Sequence, residues 1–300
     1  MFILSGYELS VAITVLIYVL LATGLHVTLG YGGQISMGMA AFVAIGAYTA
    51  AMLSTMAGWP LLAVLPASML LAGFAGVLLG IPSLRVRDDF LAIVTLGFGI
   101  IVQSLANRLP FTGGALGISG IPRPAIGGLL LDKASFALLV VLLVVAVMGL
   151  TVVLSRSRVG AAWRAVRDDD LAAAAMGLNV PALKVSAVAV GSAYAGLGGG
   201  LLAYHLGFVG ADTFGLDMSV TVLAMVVIGG VGSFPGAIIA AIGLSLLPEI
   251  LRPVADLRLL VYGALLALVV IVRPTGLFGS LRWRWRAGRS ATVKQAVTDE

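Results

Sequence analysis

The sequence predicts an all-α polytopic membrane protein of about nine transmembrane helices (8–10), with its N-terminus outside and its C-terminus inside. Three observations predict it. Hydrophobic residues make up 60% of the 300 positions and charged ones 10%, with a mean hydropathy of +1.12, which leaves little room for a water-soluble core. Apolar runs near the length of a bilayer span recur throughout, and the period of two that marks a membrane barrel is missing. The basic residues are unevenly shared between alternate connections, thirteen inside against five outside when the N-terminus is placed outside.

Spans are expected at 9–29, 37–57, 61–80, 90–108, 135–154, 185–206, 218–232, 236–251 and 258–273. The N-terminus, MFILSGYELS, has no basic n-region and no cleavage box follows, so the first run reads as an uncleaved span. The first connection, Gly30 to Gly38, is too glycine-rich for a plain helix end. It reads either as a re-entrant or broken segment lining a polar path, or as a tight turn packed on a neighbour. A partial echo occurs near 229–236, where Gly229, Gly230 and Ser233 repeat the GGxxS of Gly32, Gly33 and Ser36. The short interior loop carrying Arg85 and Arg87 serves orientation. The helix after it is interrupted by Thr95, Gln103, Ser104 and Asn107, polar groups that face a bundle interior or bond between helices.

The longest exterior connection, 109–134, is rich in Gly and Pro and is expected to form turns. The longest polar interval is 155–184, SRSRVGAAWRAVRDDDLAAAAMGLNVPALK. Its basic run, its acidic run and LAAAAMG predict a short surface helix on the inner side, stopped at Gly177, and a docking platform for a soluble partner. Gly196, Gly198, Gly199 and Gly200 imply close helix packing or a bend. The tail 281–300 is basic and aromatic in its first half, suited to an inner headgroup layer.

With no cysteine, disulfides and thiolate metal sites are excluded, and His26 and His205 sit in no metal-binding spacing. The net charge of +5 has no aromatic-interleaved soluble patch behind it, so it speaks for orientation and not for nucleic acid. No GxxxxGK[ST] occurs, so the chain has no ATP-binding loop of its own.

Four stretches resemble the LivM-type permeases of branched-chain amino acid ABC importers: GYGGQISMGMAAFVAIGAYTAA, FLAIVTLGFGIIVQSLANRLPFTGGALGISGIP, SRVGAAWRAVRDDDLAAAAMGLNVPALK and LAMVVIGGVGSFPGAIIAA. They stand in the family's order and cover about residues 30–245; the second and third are the more specific. The resemblance implies a single permease domain over 1–280 that forms half of a translocation pathway in a bacterial inner membrane. It implies a homologous second permease, two cytoplasmic ATPases, a periplasmic binding protein and no cofactor. Segment 155–184 would couple to an ATPase through Arg164, Arg167, Asp168, Asp169, Asp170 and Gly177. Ala174 departs from the pattern, since many relatives carry glutamate there. Ser36, Thr95, Ser219 and Thr221 would line the route, and Thr112, Gly113, Gly114 and Ser119 would face the binding protein. Branched-chain amino acids are the expected cargo, with urea, amides and aromatic acids as the alternatives.

Two other classes fit less well. Gly117 to Gly120 matches the GxSG of rhomboid proteases, with His205 as a base, but IPRP follows Ser119 and prevents the helix that motif needs. A stand-alone carrier needs ionisable residues deep in its spans, whereas His26 and Glu249 lie near predicted ends.

Overall fold

The computed structural model describes residues 6–83, 88–126 and 129–250; the expected span at 258–273, the tail 281–300, and Arg85 and Arg87 lie outside the described residues. Among the described residues ten α-helices follow in order: α1 Gly6–Leu25, α2 Met39–Thr55, α3 Leu61–Ser83, α4 Asp88–Arg108, α5 Lys133–Arg156, α6 Arg158–Asp168, α7 Asp170–Ala175, α8 Val180–Leu206, α9 Leu216–Gly229 and α10 Phe234–Ile250. The chain is an all-α polytopic membrane protein. Six described helices are long and apolar enough to cross a bilayer, namely Gly6–Tyr31, Leu61–Ile81, Phe90–Arg108, Lys133–Arg156, Val180–Leu206 and Ala211–Gly229. The expected spans at 37–57 and 236–251 are shorter apolar helices, Met39–Thr55 and Phe234–Leu247.

α8 is the central post, packed against α1, α2 and α3. Its small residues let neighbouring backbones come into contact: a Cβ at Gly199 would sit 2.0 Å from the Val43 carbonyl oxygen of α2, and one at Gly191 2.6 Å from the Gly24 carbonyl oxygen of α1. The glycine run therefore produces close approach. Large side chains fill the space between, with Ile13, Ile17, Leu20, Phe42, Tyr194, Leu201 and Met225 at the centre. α3, α4 and α5 turn Leu70, Phe74, Ile93, Ile101, Leu142 and Val153 outward, an apolar surface that lipid would cover.

α8 begins at Val180, five residues before the expected span. Asn179 caps it by accepting from the Ala182 N–H at 3.2 Å, and Pro181 occupies the first turn, where its missing N–H costs nothing. Pro181 is thus a start signal for α8 as well as a stop for what precedes it. The connection 109–134 forms turns as expected: 3₁₀ turns at Pro110–Thr112 and Gly114–Leu116, then the two-residue strands β1 Ile118–Ser119, β2 Ala125–Ile126 and β3 Leu129–Leu130. β2 and β3 pair with each other. β1 pairs antiparallel with β4 Phe208–Val209, which fastens this connection to the end of α8.

Candidate functional site

Segment 155–184 folds as two helices, where one was expected. Ser157 is the hinge after α5 and caps α6 by accepting from the Gly160 N–H. α6 buries Gly160, Trp163 and Val166, one stripe at helical spacing, and Trp163 Nε1 donates to Ser186 Oγ of α8 at 2.9 Å. Asp169 is extended, which ends α6, and its carboxylate accepts from the Leu171 and Ala172 N–H groups at 2.9 Å, which starts α7. Gly177, at φ +82, reverses the chain after α7.

Arg164, Arg167, Asp168, Asp169 and Asp170 are engaged within the protein. Arg164 donates to the Ser155 carbonyl at 2.6 Å, near the C-terminus of α5. Arg167 reaches across to the Gly30 carbonyl and also holds Asp168 at 3.0 Å. Asp170 pairs with Lys184 in the first turns of α8. What α7 leaves uncovered is apolar: Leu171 and Met176 are each 84% exposed. In the sequence this surface corresponds to LAAAAM, directly after the acidic run Asp168–Asp170.

Residues 32–38 are non-helical, so the helix is interrupted near 30–38. α1 continues into a π-helical turn, His26–Tyr31, and the chain is then non-helical until Met39. Single π-turns of this kind are rare and recur at functional sites. Within it His26 is fully buried between the Tyr31 and Phe234 rings, and neither ring nitrogen has a hydrogen-bond partner. Gly33, at φ +72, packs its backbone on the Arg167 stem, where a Cβ would meet Cγ at 2.6 Å. Buried Gln34 donates to the Lys184 carbonyl at 2.9 Å. Platform and break thus form one hydrogen-bonded unit.

The far end of the break is held by three of the residues expected to line a route. Met37 N–H donates to Thr95 Oγ1 at 2.9 Å, Gly38 N–H to Ser36 Oγ at 3.4 Å, and Ala40 N–H to Ser219 Oγ at 2.9 Å. Hydroxyls on α4 and α9 therefore satisfy N–H groups at the start of α2 that no intrahelical partner can reach. All three side chains are buried, and Thr221 is half-buried on α9. The start of α2 lies inside the bundle: the Met39 side chain reaches the contact between Gly24 and Gly191, well along α8. α9 starts at the same place, so two helix N-termini meet there. Beside them is a cleft of ≈ 30 Å³ whose walls include Met37, Ala40, Gly99, Gln103, Leu216 and Ser219. The cleft walls are mostly apolar, with Gln103 and Ser219 as their polar side chains, and Asp217 already places a carboxylate in the first turn of α9, where the positive helix end favours it.

The second break carries the echoed motif in the same use. Ser233 Oγ accepts from the Gly236 N–H as α10 begins, and a Cβ at Gly30 would lie 2.7 Å from the Val231 carbonyl oxygen, so the two breaks touch.

In the connection 109–134, Thr112 is buried and donates to the Ala106 and Leu109 carbonyls, while Gly113 and Gly114 turn at φ +78 and +57. Ser119 lies in β1 opposite Phe208. His205 is engaged with Thr14 Oγ1 at 3.3 Å, while Ser119 is paired with Phe208, so the geometry lends the protease reading nothing. Leu116, Leu129 and Leu130 are the most exposed large apolar residues of this connection. Among the described residues no three His, Asp or Glu gather as a metal site.

Comparison with known proteins gives a family model described as branched-chain amino acid transport system / permease component, matching residues 8–270. The chain is 39% identical over 307 aligned residues to the high-affinity branched-chain amino acid transport system permease protein LivM of Escherichia coli (strain K12), covering 94% of this chain and 72% of that one. It is 27% identical to the corresponding protein BraD of Pseudomonas aeruginosa, covering 87% of this chain and 91% of that one. It is also 31% identical over 136 residues to the permease protein LivH of E. coli, covering 45% and 44%. No solved structure matches.

Proposed function

The chain belongs to the branched-chain amino acid transport permease family, and from that we propose that it forms half of the translocation pathway of an ABC importer for leucine, isoleucine and valine. A second permease of the LivH kind supplies the other half, two cytoplasmic ATPases supply the energy, and a periplasmic protein delivers the substrate. The chain itself is a transport subunit without catalytic residues. It spans a bacterial inner membrane about nine times, N-out and C-in, as one permease domain over 1–280 with a basic cytoplasmic tail at 281–300.

One observation carries this reading: the platform is hydrogen-bonded to the break that leads to the paired starts of α2 and α9. A displacement of segment 155–184 by an ATPase has a direct mechanical route to the cleft. Arg164, Arg167, Asp168, Asp169, Asp170 and Gly177 act in that coupling by keeping the platform rigid and attached. Ser219 stands at the wall of the route, and Ser36, Thr95 and Thr221 shape it from behind. The mostly apolar walls, with Gln103 and Ser219 among them, suit an aliphatic amino acid in passage. Thr112, Gly113, Gly114 and Ser119 set the shape of the face offered to the binding protein.

Affinity purification of the tagged chain from mild detergent tests the assembly. The expected result is a second multispanning protein and P-loop ATPases in the eluate. A chain that stays alone yet transports would contradict it.

A further inference from the structure

We propose that Asp217 receives the ammonium group of an amino acid crossing the membrane, from the wall of a water-filled passage beside α4 and α9. This rests on the importer reading above and gives it a residue that separates an amine from neutral urea and amides. Asp217 is exposed in the first turn of α9, and it shares a face with exposed Leu216 and Val220 and with half-buried Thr221 one turn on. Its depth is what matters. Ser219, two residues on, holds the first turn of α2, and Met39 of that turn reaches Gly191 in the middle part of α8. Tyr18, in the middle part of α1, is within electrostatic reach of the carboxylate.

A carboxylate at this depth faces water or a cation, because hydrocarbon leaves its charge unsolvated. The chain brings it no cation. α9 packs against α1, α2 and α10, and none of these four helices contains Lys or Arg. Among the described residues no hydrogen bond or ion pair engages Asp217. Its Oδ1 lies against Gly215, where a Cβ would meet it at 2.7 Å, and Gly215 and Leu216 are walls of the cleft that Gln103 and Ser219 also line. The chain between α8 and α9, 207–215, reaches this depth without an α-helix, and such backbone is tolerated in a membrane where it lines a cavity. Stabilising the start of α9 is the competing role. A helix end returns less than a lipid-facing carboxylate costs, so that role too requires water or a cation at this face. The apolar cleft walls Met37, Leu96, Ile100 and Phe214 leave room beside the carboxylate for an aliphatic side chain.

The chain has no cysteine, so Thr221→Cys, with Val220→Cys as a second reporter, reads this face in the complete importer in vesicles. Cationic and anionic water-soluble methanethiosulfonates are both expected to label it, the cationic one faster. Asp217→Asn is expected to lower that preference about tenfold. It should also lower saturating leucine uptake about tenfold, the scale of one charge-assisted hydrogen bond, at an unchanged half-saturating concentration. Asp217→Glu is expected to restore both. Equal labelling by the two reagents overturns the proposal, as does normal leucine uptake by Asp217→Asn. Labelling of the lone chain with protection in the complete importer overturns it in favour of a contact with the second permease. No labelling in either overturns it in favour of lipid. Uptake that falls only with the amount of folded protein, alike for Asn and Glu, overturns it in favour of helix stabilisation. In all these cases ATP-driven leucine uptake by the unsubstituted importer leaves the importer reading intact, and its absence overturns both.

Discussion

Arg167 donates to the main chain of a residue 137 positions away, and together with the bond from Gln34 to Lys184 this contact ties the platform to the first helix break. Arg167→Met keeps a stem to pack on Gly33 but removes the fork. We expect ATP hydrolysis by the partner subunits to continue while uptake per ATP falls; an unchanged ratio in reconstituted vesicles would remove Arg167 from the coupling route. His26 makes a different prediction. Its two buried nitrogens are unpaired, so His26→Met should raise thermal stability, by about 1–3 kcal/mol, through removal of an unsatisfied polar group. A lower melting temperature would show that the imidazole has a use in the resting fold. Asp132 caps α5 by accepting from the Ser135 N–H at 3.0 Å, and its hydrogen bonds from Ser135, side chain first, hold the carboxyl below its ordinary range. A depressed pKa in the fold means the contribution is full above the unfolded value and lost as pH falls through the folded one. Asp132→Asn should therefore flatten the acid limb of a stability profile and leave neutral pH nearly unchanged. The residue types at these positions were legible in the sequence, and their partners were not. Arg164 and Arg167 read as outward contacts because nothing in a linear chain shows that Ser155 and Gly30 lie within reach.

At the level of elements, hydropathy located eight described helices to within a few residues, because a bilayer span needs a long apolar run and little else. It could not place the boundary of α8, since Asn179 and Pro181 serve equally as the end of one helix and the start of another. Nor could it divide the platform: Asp168, Asp169 and Asp170 look alike in sequence, and the extended backbone of Asp169 alone ends α6 and caps α7. The join between α6 and α8 rests on Trp163, which is 2% exposed and bonded to Ser186. Trp163→Ala should cost about 3–5 kcal/mol and release the platform from α8, seen as faster hydrogen exchange across 158–176. Trp163→Phe, which loses chiefly one hydrogen bond, should cost about 1 kcal/mol. The packing of α2 on α8 is equally specific. Gly199→Ala places a methyl 2.0 Å from the Val43 carbonyl oxygen, so folded yield in detergent should drop sharply; a normal yield would mean the two helices separate easily.

For the whole molecule, the legible part was the membrane class and the family, carried by composition and by the TGG…GISGIP and R-A-x-R-x-D-D stretches. The convergence of α2 and α9 was hidden, because their capping hydroxyls, Thr95 and Ser219, lie 58 and 179 residues from the N–H groups they accept from. That convergence links the platform, the bonded break and two helix starts at one cleft in a single run of contacts. The most direct test is uptake of labelled leucine, isoleucine and valine into vesicles holding this chain with its second permease, ATPases and binding protein. Uptake that requires ATP and every partner, and that outcompetes urea, amides and aromatic acids, is the predicted result. Uptake by this chain alone, driven by an ion gradient and indifferent to ATP, would contradict it.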